Sequence, residues 1–185
     1  MNHTDLLNWL IERHNLKSYL EIGVQNVANN YLKVNAFHKT GVDPTVSHPL
    51  ITHLTSDQFF KVNKASFNLI FIDGLHHADQ VKRDFENSLK SLNDKGFIVI
   101  HDCLPVDEIT TCVPRGTQKI WNGDVYKFIF ELNSYDGIDY KTYDFDHGCC
   151  VVWKDASKIG GYKYDNIDWQ FYQNNKKLMR VESSL

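Results

Sequence analysis

The sequence lacks the features that define two large classes of proteins. It contains no apolar run that approaches the ~20 residues needed to span a bilayer. It also contains no long basic segment, and its 20 Lys and Arg against 23 Asp and Glu give a formal net charge of −3. We therefore expect no membrane span, and neither nucleic acid nor an anionic membrane as a main partner.

Cysteine is scarce, and its spacing is not that of a zinc finger. Cys103, Cys112, Cys149 and Cys150 form no C-x-x-C pair, which argues against a structural zinc site. No secretion signal is recognisable in the first residues, MNHTDLLNWL, which predict a short amphipathic helix. Reduced thiols and a cytoplasmic location are the expectation.

Linkers, internal repeats and low-complexity segments are also missing. The 185 residues are enough for one domain with a full hydrophobic core. The apolar fraction of 42% and the charged fraction of 23% are ordinary for a globular protein. We predict a single domain that spans residues 1–185.

The sequence does contain an alternation of apolar strands and amphipathic helices. FNLIFID and GFIVIHD are continuous apolar runs, typical of strands that are covered on both faces of a parallel sheet. Between them, ADQVKRDFENSLKSL predicts a helix that is stopped by residues 93–96. GIDYKTYDF and CCVVW flank DHG and predict an antiparallel hairpin. The pattern indicates an α/β fold with a mostly parallel sheet and a C-terminal hairpin.

Four predicted strands end on an acidic residue: Glu21, Asp43, Asp73 and Asp102. Ligands of such folds bind at the carboxyl edge of the sheet. Because buried carboxylates are costly unless they are paired, we expect the four to line one functional cleft.

The first two strand ends have the pattern of a nucleoside site. Gly23 lets the backbone turn close to a ligand, and Asp43, 20 residues on, can accept the two ribose hydroxyl protons. The loop GVQNVA has one glycine instead of G-x-G-x-x-G, which disfavours a dinucleotide and suits a nucleoside without phosphates. An ordinary βα turn is the alternative interpretation.

Five segments together resemble a known family. YLEIGV, TGVDP, TSDQFF, FIDGLHH and VIHDC, in this order, are similar to class I S-adenosylmethionine-dependent methyltransferases, and more closely to a small branch found in bacterial surface-glycan gene clusters. WNGDVYK, DHG and DWQFYQNNKKL also resemble that branch, so the resemblance covers nearly the whole chain. It implies a Rossmann-like methyltransferase fold with helices on both faces of the sheet. The chain departs from many relatives at Val27, Ala28 and Asn29, where they carry glycine and a small hydroxyl residue.

The resemblance also implies an S-adenosyl-L-methionine site. Glu21, Gly23 and Val24 are expected on its methionine and ribose side, and Asp43 on the ribose hydroxyls. Ser56 and Asp57 are expected near the adenine, or alternatively serve only as an acidic helix N-terminus. The full predicted set of cofactor-binding residues is Glu21, Gly23, Val24, Asp43, Ser56, Asp57 and Asp73.

Asp73-x-x-His76 and His101-Asp102 resemble the layout of the catechol-type methyltransferases. There, two acids hold magnesium and a base removes the acceptor proton, which implies Asp73 and Asp102 as ligands of a Mg²⁺ ion. His76 takes the base position, and His101 is a second candidate base. We therefore predict His76, His101 and Asp102 as the catalytic residues. Cys103 stands where that layout has a third oxygen ligand, and a thiol is a poor ligand for Mg²⁺.

Three functions remain open on the sequence alone. The first is glycan modification, as O-methylation of a sugar or another small hydroxylated acceptor. The second is a metal-dependent hydrolase with Zn²⁺ or Mn²⁺ bound among the acids and histidines of residues 73–77 and 101–102. The third is a binding or scaffold module without activity, suggested by Val27 and Ala28. Pairing with a second copy of the chain, as a homodimer, is also left open.

Overall fold

A computed structural model describes residues 1–184, which form one eight-stranded sheet with helices packed on it. The strands are β1 Ser18–Ile22, β2 His38–Val42, β3 Ile51–Thr52, β4 Phe67–Ile72, β5 Leu92–Ile100, β6 Ile138–Tyr143, β7 Cys149–Lys154 and β8 Val181–Glu182. The helices are α1 His3–His14, α2 Ser56–Val62, α3 Ala78–Ser91, α4 Val125–Glu131 and α5 Trp169–Asn175. Short 3-10 helices cover Tyr31–Lys33, Glu108–Thr111, Leu132–Ser134 and Lys176–Met179.

The sheet is parallel from β3 to β5, continues with the predicted hairpin of β7 and β6, and ends at β8, which is parallel to β6. Its strand order is β3-β2-β1-β4-β5-β7-β6-β8, with β1 to β5 parallel to one another. β7 runs antiparallel to both β5 and β6. The Rossmann-like methyltransferase fold that the resemblance implied is thereby confirmed, including its C-terminal antiparallel strands.

Helices cover both faces because successive residues of the central strands point to opposite sides. In β4, Ile70 and Ile72 pack in one apolar cluster with Phe85 of α3, whereas Leu69 and Phe71 pack in a second cluster that includes the apolar face of α1. Unbroken apolar strands such as FNLIFID are therefore required by the two-sided burial. Within residues 1–184, the structure has no helix that is long and apolar enough to cross a membrane.

The structure differs from the sequence-based prediction at the boundary between α3 and β5 and in the additional strand β8. α3 ends at Ser91, and β5 already begins at Leu92, so the predicted stop at residues 93–96 lies inside a strand. A register shift between Phe67 and Leu69 accommodates the early start of β5 beside β4. β8 was not predicted, because its two residues gain strand geometry only by pairing with the end of β6.

Candidate active site

The carboxyl ends of the parallel strands open into one cleft of about 780 Å³. The acids lie at the carboxyl ends of four adjacent strands, in the order Asp43, Glu21, Asp73 and Asp102. Since neighbouring strands lie about 4.8 Å apart, this row spans roughly 15 Å. All ten residues that the sequence predicted line the cleft: Glu21, Gly23, Val24, Asp43, Ser56, Asp57, Asp73, His76, His101 and Asp102.

Gly23 is required where the chain leaves β1. Its backbone has φ +88°, and a Cβ atom there would lie 2.1 Å from the carbonyl oxygen of Asp73. The glycine therefore allows the loops after β1 and β4 to touch, which brings the two halves of the cleft together. Val27 packs into the apolar cluster that contains Val24 and Tyr31, and is not among the described residues that line the cleft.

Glu21 lies in a buried polar network at the end of β1. Its Oε2 accepts hydrogen bonds from the Tyr19 hydroxyl at 2.6 Å and from Asn30 Nδ2 at 2.9 Å. Asn30 is held in turn by Thr4 of α1, whose hydroxyl donates to Asn30 Oδ1 at 2.8 Å. Burial raises the pKa of Glu21 to about 7, against the effect of its two donors. The first helix thus supports the end of the cleft that β1 forms.

The Glu21→Gln variant is expected to remove a pH-dependent loss of stability. Between its ordinary pKa near 4.5 and the folded value of about 7, the folded state holds the extra proton, so stability falls as the pH rises through this window. As the pH rises from 5 to 8, we expect the free energy of unfolding of wild type to fall by about 2–3 kcal/mol relative to that of the variant. Urea unfolding at both pH values measures this, with exposed Glu12→Gln as the control. Identical pH slopes for wild type and Glu21→Gln would contradict the assignment.

Asp43 is fixed by donors from two loops. Its Oδ1 accepts from the Thr45 amide at 2.7 Å, the Thr45 hydroxyl at 2.8 Å and the Val46 amide at 3.1 Å, and its Oδ2 accepts from the Gln25 amide at 2.9 Å. Burial favours a higher pKa of Asp43, but these hydrogen bonds outweigh it and keep the pKa below its usual range. The carboxylate is therefore ionised, and Oδ2 retains capacity to accept a further hydroxyl.

Ser56 and Asp57 form the first turn of α2 at the far side of the cleft. Asp57 is partly exposed, with its carboxylate 3.7 Å from the Arg83 guanidinium. A second acid, Asp84, lines the same region but is buried, and burial raises its pKa to about 6. Sequence reasoning missed Asp84. The sequence pattern that could have indicated it is an acid on the buried face of α3, between Val81 and Ser88.

His76 joins Asp73 and Asp102 at the other end of the row. Its Nε2 lies 3.5 Å from Asp73 Oδ1, and its Nδ1 lies 3.1 Å from Asp102 Oδ2 and 2.9 Å from the Trp121 carbonyl oxygen. The carbonyl can only accept, which assigns the proton to Nδ1 and the lone pair to Nε2 in the neutral ring. Burial lowers the pKa of His76, but the bonds and charges of Asp73 and Asp102 raise it overall.

His101 is enclosed by carboxylates. Its Nδ1 lies 3.2 Å from Asp73 Oδ1 and 3.6 Å from Asp102 Oδ2, and its Nε2 lies 3.6 Å from Asp146 Oδ2. Burial works to lower the pKa of His101, but these three negative charges outweigh it and hold the pKa well above the ordinary value. The pKa of His76 is raised less, because two carboxylates contact it and three contact His101, so the arrangement favours His76 over His101 for the role of base.

Three residues beside His101 have the left-handed backbone conformation, which residues other than glycine rarely adopt. Asp102 has φ 59°, Asp146 has φ 51° and His147 has φ 64°. Non-glycine residues in this region cost free energy and occur preferentially at functional sites. The turn between β6 and β7 thus directs Asp146 and His147 toward the end of β5.

Cys103 does not take part in this cluster. Its side chain is buried, and Sγ donates to the Ile100 carbonyl oxygen at 3.1 Å. Asn122, which sequence reasoning missed, lies there instead: its Nδ2 donates to Asp102 Oδ1 at 2.7 Å. The other amide atom, Asn122 Oδ1, is buried without a hydrogen-bond partner among residues 1–184. The carboxylates of Asp73 and Asp102 are the donor type that Mg²⁺ prefers.

Comparisons with known proteins agree with this fold. A family model described as a methyltransferase domain matches residues 10–103. The chain therefore belongs to the methyltransferase domain family and is an S-adenosylmethionine-dependent methyltransferase.

Solved structures of methyltransferases share the fold at low sequence identity. A putative caffeoyl-CoA O-methyltransferase from Staphylococcus aureus is 18% identical, with 82% of each chain covered and a TM-score of 0.62. The SAH-bound methyltransferase PaMTH1 from Podospora anserina is 15% identical over 82% of this chain and 77% of its own, with a TM-score of 0.63. No curated protein matches the sequence significantly.

Proposed function

We propose that the protein transfers a methyl group from S-adenosylmethionine to a hydroxyl oxygen of a sugar or another small hydroxylated acceptor. The observation that carries this proposal is the convergence of Asp73, His76 and Asp102, whose ligand atoms all lie within 4.8 Å of one another. They share one cleft with Glu21 and Asp43. A nucleoside end and an acid–histidine end thus lie within reach of one bound cofactor and one acceptor.

The residues on β1 and β2 fit the cofactor. S-adenosylmethionine supplies a methyl group on a positively charged sulfur. In this proposal, Asp43 Oδ2 accepts from the ribose hydroxyls, and Glu21 Oε1, which makes no hydrogen bond within residues 1–184, accepts from the methionine ammonium. Ser56, Asp57 and the buried Asp84 are the candidates for the adenine side.

His76 is the base that we propose for the acceptor hydroxyl. The Trp121 carbonyl holds the proton on Nδ1, so Nε2 can receive the acceptor proton. The Trp121 ring stacks on His76 at 4.9 Å with an interplanar angle of 13°, which restricts the imidazole to this orientation. Arg115 lies over the same ring at 5.5 Å, and both residues line the cleft beside the proposed acceptor.

The acid–histidine end also fits a Mg²⁺ ion. Asp73 and Asp102 would hold it, and Asn122 would orient Asp102 through the hydrogen bond from Nδ2 to Asp102 Oδ1. A bound Mg²⁺ lowers the pKa of a coordinated hydroxyl and so eases its deprotonation. A metal-dependent hydrolase receives less support, because His77 lines a neighbouring pocket and not this cleft.

Isothermal titration with S-adenosylhomocysteine and S-adenosylmethionine tests the first requirement of the proposal. We expect one site per chain with a Kd in the micromolar range, and release of S-adenosylhomocysteine when hydroxylated sugars are added. Absence of binding at millimolar ligand would refute the methyl-transfer function. Binding without turnover on any acceptor would favour the scaffold alternative.

A further inference from the structure

We propose that the protein has a second metal site, for a first-row transition ion such as Zn²⁺, formed by His3, His101 and Asp146. Each residue offers one ligand atom, and these atoms lie within 4.8 Å of one another. The three residues come from the start of α1, the end of β5 and the turn between β6 and β7. This site adjoins the oxygen-rich Asp73–Asp102 end of the cleft but shares no ligand with it.

The distances are close to those of a zinc site. His3 Nδ1 lies 2.6 Å from Asp146 Oδ2, and His101 Nε2 lies 3.6 Å from the same oxygen. Metal–ligand bonds of about 2.0–2.1 Å at tetrahedral angles separate ligand atoms by roughly 3.3 Å. The two measured separations lie on either side of this value, so small side-chain movements bring the atoms to coordination distance.

An independent observation points to an ion on His101. Its side chain is 9% exposed, and its Nε2 is buried without a hydrogen-bond partner in the part of the chain that the structure describes. The opposite nitrogen, Nδ1, faces Asp73 Oδ1 at 3.2 Å. Metal-bound histidines ordinarily donate their second N–H to a carboxylate, which leaves the other nitrogen free to ligate. Asp73 therefore orients His101 Nε2 toward His3 and Asp146.

The surroundings hold the other two ligands in place and leave access. The His3 ring stacks on Phe71 at 5.3 Å, and the His3 amide donates to Asp146 Oδ2 at 2.7 Å. The side chains of His3 and Asp146 are 22% and 24% exposed, so an ion can enter from solvent. Three protein ligands with an open fourth position are the pattern of a reactive zinc site.

The donor chemistry separates the two sites. Two imidazole nitrogens and one carboxylate suit Zn²⁺ and similar ions, whereas the Asp73–Asp102 pair suits Mg²⁺. The competing explanation is a metal-free ion-pair cluster in which a protonated His101 neutralises the surrounding carboxylates. The two explanations differ in whether the EDTA-treated protein takes up Zn²⁺ when Mg²⁺ is in excess.

Asp146→Asn is the decisive variant. Asparagine tolerates the left-handed backbone at this position and keeps the shape of the side chain, but its neutral amide is a poor zinc ligand. Full-length protein without a histidine tag is treated with EDTA and titrated with Zn²⁺ against a chromophoric chelator in excess Mg²⁺. We expect one Zn²⁺ per wild-type chain, and affinity weakened more than about 100-fold in the variant, beyond the usual effect of an outer-sphere change.

Thermal unfolding gives a second readout that does not depend on activity. A 100-fold excess of Zn²⁺ over its Kd is expected to raise the Tm of wild type by roughly 5 to 10 °C and to leave Asp146→Asn unchanged. If Asp146→Asn does not fold, the same measurements are made on His3→Ala, which removes another ligand. His38→Ala, which removes an exposed histidine outside the site, is the matched control. Absence of Zn²⁺ uptake by wild type, or uptake that survives both site variants, would overturn the proposal. Uptake lost only in Asp73→Asn would assign the ion to the other cluster and overturn it as well.

Discussion

His76→Ala is expected to lower kcat about 10²- to 10⁴-fold, the usual contribution of a positioned base, while the Kd for S-adenosylhomocysteine stays within about threefold of wild type. The separation follows from position, because His76 contacts Asp73, Asp102 and the Trp121 carbonyl but makes no contact with Glu21 or Asp43 on the cofactor side. Turnover is measured as S-adenosylhomocysteine release with a panel of hydroxylated sugars. Cofactor affinity is measured by titration calorimetry.

The neighbouring His77→Ala variant is the matched control. His77 has the same side chain and precedes α3, but it lines a different pocket and caps the helix without a side-chain hydrogen bond. It should retain wild-type turnover. A parallel loss of kcat and cofactor affinity in His76→Ala would instead indicate a structural role, and unchanged turnover would remove His76 as the base.

Asp43→Asn is expected to weaken S-adenosylhomocysteine binding about 100-fold. The carboxylate is ionised and fixed by the Gln25, Thr45 and Val46 donors, so it can accept charge-assisted hydrogen bonds from a ribose without reorganising. Each such bond contributes about 1.5–3 kcal/mol. The asparagine side chain has no charge, and its NH₂ group would face the backbone N–H donors of Gln25, Thr45 or Val46. Calorimetric titration with S-adenosylhomocysteine measures the change.

Asp155→Asn is the control for the effect of replacing an aspartate that accepts hydrogen bonds within a turn. Asp155 makes a similar turn, accepting from the Ser157 amide at 3.0 Å and from the Ser157 hydroxyl at 2.6 Å, but it is outside the cleft. It should bind the cofactor as wild type does. If Asp43→Asn also binds normally while remaining folded, the ribose lies elsewhere and the nucleoside end of the cleft has been misassigned.

Much of the fold was predictable because the information is local in the chain. FNLIFID and GFIVIHD have the unbroken apolar character of strands buried on both faces, and both are strands in the structure. The T-x-x-Q segment at Thr55 and Gln58 opens α2 with the reciprocal capping bonds that the pattern predicts. The end of α3 and the short β8 were not predictable, because each depends on pairing with a strand that is distant in sequence.

The candidate site divides in the same way. Glu21, Asp43, Asp73 and Asp102 were recognised because each lies at or just after the end of an apolar strand, and parallel strands bring such residues to one edge of the sheet. The role of Asn122 was hidden, since only the fold of the loop before α4 places its amide beside Asp102. No local pattern marks such a residue.

The sequence by itself determined the α/β class, the strand ends and the row of acids, because hydrophobic periodicity and the residue that follows each strand are local properties. Only the tertiary structure decided which carboxylates surround each histidine, two at His76 and three at His101. It also brought His3 and Asp146, 143 positions apart, into hydrogen-bond contact beside His101. The physical reason is that long-range packing sets the distances between side chains, and these distances decide protonation and metal preference.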